Sequence, residues 1–92
     1  MDIKDFALKY SLSTDKVNKD NDTYIFALDN SNEYSTLFNK LSKDDNLKLN
    51  YDNTSGDILN NLSVDFKANE YSITLVADFN DDIYKLILKE FK

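Results

Sequence analysis

The chain contains no cysteine, histidine, arginine, proline or tryptophan, and it has a single glycine. Without cysteine there is no disulfide, no thiol nucleophile and no thiolate metal site. Without histidine the usual general base is missing, and with it the Ser-His triads and the imidazole zinc sites. Without arginine no guanidinium fork can clamp a phosphate. One glycine rules out the dinucleotide fingerprint, the P-loop and the nucleophile elbow, each of which needs at least two. No apolar run approaches the ~20 residues of a membrane span. The opening MDIKDFALKY carries charges inside its apolar pattern, unlike a secretory signal. The expectation is a soluble intracellular protein that is not an enzyme and carries no cofactor.

What is present is acid. Seventeen carboxylates, fourteen of them aspartate, stand against eleven lysines, for a net charge of −6. Phosphates would be repelled, so direct nucleic-acid binding is disfavoured and a basic protein surface is the expected partner. A second cause of the acidity is composition. Phe, Tyr, Met, Ile, Asn and Lys supply 42 of the 92 residues, and Gly, Ala, Arg and Pro only five. This is the mark of AT-rich coding, so charge alone does not establish a function. The length fits one domain, residues 1–92, burying roughly 60–65% of its unfolded surface.

Hydropathy spacing orders the elements. Ile3, Phe6, Ala7 and Tyr10 recur at i, i+3, i+4, i+7 and predict a first helix. The polar stretch 13–22 reads as a loop, and TYIFAL, 23–28, as a strand. Asn30 and Glu33 form a capping box ahead of Tyr34, Leu37, Phe38 and Leu41, which predicts a second helix ending at KDDN, 43–46. Three alternating segments follow, 47–51, 62–67 and 71–79, each with one apolar and one polar face, as in half-buried antiparallel strands. Gly56 lies in a turn signal between the first two, and 67–70 has hairpin length. The tail from Asn80 supports two readings. As a helix, Asn80 caps it and Ile83, Leu86, Ile87 and Phe91 share a face; as a strand, Tyr84, Leu86 and Leu88 do. Lys, Leu and Glu content favours the helix. The resulting fold is α+β: a two-layer sandwich with an antiparallel sheet of about four strands and two or three helices on its apolar face. The outer sheet face (Lys48, Asn50, Ser63, Asp65, Ser72, Thr74) would be wet and open to a partner.

Two stretches have the D-x-N-x-D spacing of a calcium loop. Asp78, Asn80 and Asp82 are followed by Ile83 and Lys89 where glycine and a bidentate acid are required. Asn18, Asp20 and Asp22 are followed by Asp29 at the closing position, but Thr23 replaces the glycine. Both therefore read as solvated acid rather than metal site. Asp44 with Asp45 and Asp81 with Asp82 are adjacent acids at expected helix ends, where macrodipole and capping chemistry account for them without general acid/base work. Lys85, the one lysine inside an apolar run, reads as a snorkelling side chain. Tyr24, Tyr34, Tyr51 and Tyr84 could keep their hydroxyls at a binding rim.

In size, acidity, lack of catalytic groups and AT-rich composition, the chain resembles the small phage-encoded anti-CRISPR inhibitors. The residues carrying the resemblance are Asp15, Asp20, Asp22, Asp29, Glu33, Asp44, Asp45, Asp52 and Asp57 on a compact α+β frame. The likeness implies a cytoplasmic protein of the bacterial host cell, with carboxylates standing in for phosphates in the basic cleft of a CRISPR effector nuclease. On that reading the partner-binding residues are Asp15, Asp20, Asp22, Asp29, Glu33, Asp44 and Asp45. The alternatives are a self-associating assembly module and an immunity protein that neutralises a basic toxin.

Overall fold

The computed structural model describes residues 3–12, 17–49, 55–57 and 61–91. Helices α1 (Ile3–Lys9) and α2 (Ser31–Ser42) pack on one face of an antiparallel sheet built from β1 (Val17–Asp20), β2 (Thr23–Leu28), β3 (Lys48–Leu49), β4 (Ser55–Asp57), β5 (Asn61–Lys67), β6 (Tyr71–Asp78) and β7 (Ile83–Glu90). The strand order is β1-β2-β7-β6-β5-β3, and β4 also pairs with β5. Lys48 and Leu49 lie opposite Lys67 and Phe66, whereas Ser55–Asp57 lie opposite Ser63–Asn61, so β3 and β4 occupy successive stretches of one β5 edge. The α+β architecture matches the sequence reading. The sheet is six positions wide, broader than the four strands expected, and Gly56 pairs with Leu62 inside a short strand instead of marking a turn.

The extra width comes from two segments. The tail, expected as a helix, is the strand β7, paired on one side with β2 and on the other with β6. A helix there would set Ile83, Leu86, Ile87 and Phe91 on one face and turn Tyr84 and Leu88 away from it. The strand instead buries Tyr84, Leu86 and Leu88 together and satisfies its backbone on both sides. The β-branched Ile83 and Ile87 suit that pleated surface. The stretch 13–22, expected as a loop, contains β1. Of its four residues Val17 alone is apolar, and Asn18, Lys19 and Asp20 are exposed. An edge strand of this kind is held by backbone pairing to β2 and leaves no hydrophobic period to read. Residues 13–16 lie outside the described residues.

Alternation builds the core. Phe26 and Leu28 of β2, Val64 and Phe66 of β5, Ile73, Leu75 and Ala77 of β6, and the three buried residues of β7 face the helices. Phe6, Ala7 and Tyr10 of the first helical segment and Tyr34, Leu37 and Leu41 of α2 close over them, as the helical spacings predict. Each fully buried large side chain contributes about 1.5–3 kcal/mol relative to exposure. Ser11 at φ 57° ends the first helix, and the Leu12 amide donates to the Ala7 carbonyl. The Asn30 cap forms, the Glu33 amide donating to Asn30 Oδ1 at 2.9 Å, while Glu33 Oε2 accepts from the amide of Asp29, one residue before the cap, at 3.1 Å.

Candidate functional site

The segment DFNDD, 78–82, is the hairpin turn between β6 and β7. Asp78 Oδ1 accepts hydrogen bonds from the amides of Asn80 and Asp81, at 3.1 and 3.2 Å, folding the chain back on itself. Asp82 takes φ 54°, a left-handed conformation that aspartate tolerates better than most residues. Phe79, expected to face inward, is 39% exposed and sets its ring edge-on to Tyr84 at 6.0 Å. The aspartates here shape a turn; they neither cap a helix nor open a calcium loop.

That turn sits at the same end of the sheet as the start of α2. Leu28, the last residue of β2, pairs with Tyr84, and Tyr84 pairs with Ala77 on its other side. The Tyr84 hydroxyl interacts with Asp82 and Ser31. Lost hydration and the Asp82 carboxylate push the phenol up from its ordinary value. Two of the residues singled out from sequence, Asp29 and Glu33, therefore share one end of the molecule with Asp78, Asp81 and Asp82. The segments 29–33 and 78–83 that form this end contain no lysine. Glu33 is partly engaged in the helix cap, while Asp81 and Asp82 are exposed. Reading the tail as a helix hid this grouping; the alternation of Tyr84, Leu86 and Leu88 was the signal that could have found it.

Asp20, Asp22, Asp44 and Asp45 lie at the opposite end, among lysines, whereas Asp57 pairs with Asn61 and Asn61 with Asp78, at the end just described. Asp20 closes β1 opposite Thr23, and Asp22 is in the following turn, where its carbonyl accepts from the Glu90 amide at 3.0 Å. Asn18 and Asp20 belong to β1, and Asp29 lies beyond the far end of β2, so the calcium-loop spacing does not close into a loop. Among the described residues no three carboxylates converge in a way that could hold a metal ion. Asp15 and Asp52 lie outside the described residues, as does Tyr51.

Asp44 has a structural task. Its Oδ2 accepts from Lys9 Nζ at 2.7 Å and from the Tyr10 hydroxyl at 2.8 Å, and its Oδ1 accepts from the Asn46 amide at 2.9 Å. These bonds hold its carboxyl down at about 2, the Lys9 contact contributing most. Asp44 thus fastens the first helix to the corner between α2 and β3. Asp45 is exposed beside it and, with Asn46, Lys48, Asn69, Glu70 and Tyr71, lines an open depression of about 540 Å³. Tyr34 and Tyr84, considered above for a rim, are buried in the core, and Tyr24 is half-buried with the Lys19 ammonium 5.4 Å from its ring centroid.

No helix among the described residues is long and apolar enough to cross a membrane. Comparison with protein-family models, curated proteins and solved structures finds no match.

Proposed function

We propose that this protein acts by binding rather than catalysis, as an inhibitor that sets carboxylates against the basic nucleic-acid-binding surface of another protein. The observation that carries this reading is that Asp29, Glu33, Asp78, Asp81 and Asp82 gather at one end, on segments 29–33 and 78–83 that hold no lysine. A net charge of −6 becomes directional when segments 29–33 and 78–83 bring only acids to one end while, among the described residues, the other end intersperses Asp20, Asp22, Asp44 and Asp45 with Lys9, Lys48, Lys67 and Lys89. A cleft rich in lysine and arginine would be steered toward the first end, and its bound counterions and water would be displaced on contact. The lack of histidine, cysteine and arginine supports the non-catalytic half of the proposal.

The resemblance to anti-CRISPR inhibitors makes a CRISPR effector nuclease the partner to try first. Asp29 and Asp81 become the leading contact residues, with Asp20, Asp22 and Asp45 secondary. Asp44 is committed to Lys9 and Tyr10 and is withdrawn from the contact set. The test is competition: purified effector nuclease is mixed with labelled target DNA and rising amounts of this protein. The protein should displace DNA, and Asp29→Lys/Asp81→Lys should reduce that displacement tenfold or more, as expected for losing close charge pairs. Asp20→Lys/Asp45→Lys should reduce it less. Undiminished DNA binding at saturating protein would reject this partner class.

A further inference from the structure

Among the described residues two phenylalanine rings are exposed, Phe79 at 39% and Phe91 at 43%. Their surroundings differ. Phe91 lies two residues beyond Lys89, at the end of the sheet that mixes both signs. Phe79 stands in the acidic turn, directly after Asp78 and shortly before Asp81 and Asp82. The strand β6 alternates Ile73, Leu75 and Ala77 into the core, and Phe79 continues that alternation past the last covered position. Its ring is nonetheless held. It meets Tyr84 at 6.0 Å and 69°, and Tyr84 meets Tyr34 at 6.0 Å, so three rings run from buried Tyr34 out to the turn. Tyr84 is itself buried, and its hydroxyl interacts with Asp82 and Ser31. The backbone beside the ring is fixed by the two amide bonds to Asp78 Oδ1. An aromatic group supported from one side and open on the other loses little freedom on contact, which suits an interface anchor.

We infer that Phe79 makes the acidic end selective for arginine over lysine: a guanidinium of the partner stacks on the Phe79 ring while its N–H groups donate to the carboxylates of Asp81 and Asp82. This rests on the proposed binding of a basic surface and names the side chain that the acidic end takes from it. The chemistry separates the two cations. A guanidinium is planar and weakly hydrated, so it can lie against a ring and fork hydrogen bonds to a carboxylate at once. An ammonium is a compact, strongly hydrated charge that gains from the carboxylates but must shed water to reach the ring. Carboxylates alone would take either cation, and the ring supplies the preference. At Phe91 the charge of Lys89 opposes a cation, and Glu90 turns one carboxylate oxygen into the interior.

NMR titration of the isotope-labelled full chain with two peptides, hexa-arginine and hexa-lysine, tests the inference, with circular dichroism checking that each variant folds. Hexa-arginine should shift the amides of 78–84 and bind wild type about fivefold tighter than hexa-lysine, the gain of one cation–ring contact. Phe79→Leu keeps apolar bulk without the ring and should bring the two peptides to equal affinity; Phe79→Ile serves in its place if that variant fails to fold. Phe79→Tyr should keep the preference, and Phe91→Leu should leave it unchanged. Equal affinity of the two peptides for wild type overturns the inference. So does a preference that survives Phe79→Leu or is lost in Phe91→Leu, or binding that leaves 78–84 unshifted. The competition assay with the effector nuclease separates the two readings. If DNA is not displaced while the arginine preference depends on Phe79, the partner class falls and this inference stands. Displacement without a preference that depends on Phe79 gives the reverse.

Discussion

Lys9, Tyr10 and Asp44 meet across 34 and 35 positions of sequence in two hydrogen bonds to one carboxylate oxygen. The pairing explains why a residue with the look of a surface acid has its carboxyl lowered from 3.8 to about 2. A carboxylate whose folded value is depressed adds stability above its ordinary value and loses it as pH falls through the folded one. The contribution of Asp44 should therefore be complete above about pH 5 and gone near pH 1. Urea unfolding of wild type across that interval should show a fall that Asp44→Asn lacks. At neutral pH Asp44→Ala should cost about 1–3 kcal/mol, because the Tyr10 hydroxyl loses its acceptor inside a buried residue. Lys9→Ala should cost less than about 1 kcal/mol, since the ammonium is exposed and its ion pair is screened. Equal losses for the two substitutions would contradict this division. At the start of α2, Asn30→Ala should cost about 1 kcal/mol by removing the acceptor for the Glu33 amide.

The elements divide by how strongly side-chain periodicity specifies them. The first helix, α2, β5 and β6 were legible because each repeats apolar residues at one spacing, and β2 because TYIFAL is an unbroken apolar run of strand length. The tail was harder, since Leu86 serves both its helical and its strand pattern. Local composition favoured helix, while the decision came from β2 and β6, whose open edges both pair with β7. Propensity differences of tenths of a kcal/mol per residue yield to burial of three large side chains and two backbone ladders. In β1 the reverse holds: its polar residues carry no pattern, and only the pairing with β2 defines it. The misreading of the tail also hid the candidate site, because a helical tail separates Asp81 from Asp29. Two substitutions test the element assignments by chemical denaturation. Leu86→Ala, at a fully buried central-strand position, should cost about 2–5 kcal/mol. Asn21, at φ 53° in the turn between β1 and β2, should tolerate glycine, whereas alanine should cost about 1–2 kcal/mol. A Leu86→Ala loss below 1 kcal/mol would remove β7 from the centre of the core.

Across the whole molecule, the fold converts an undirected excess of acid into a polarity. One end gathers carboxylates from the β6–β7 turn and the entry to α2, and the other mixes both signs. Composition alone could report the excess, and AT-rich coding could explain it. Placement along the strands gives it a direction that coding bias does not require. The measurement that tests this most directly is the salt dependence of complex formation with a purified CRISPR effector nuclease, compared between wild type and Asp29→Lys/Asp81→Lys. The account predicts that wild-type affinity falls steeply as salt rises, and that the reversed variant binds weakly at low salt with a shallower slope. Affinity that stays level from low to high salt, or is equal in the two proteins, would contradict it.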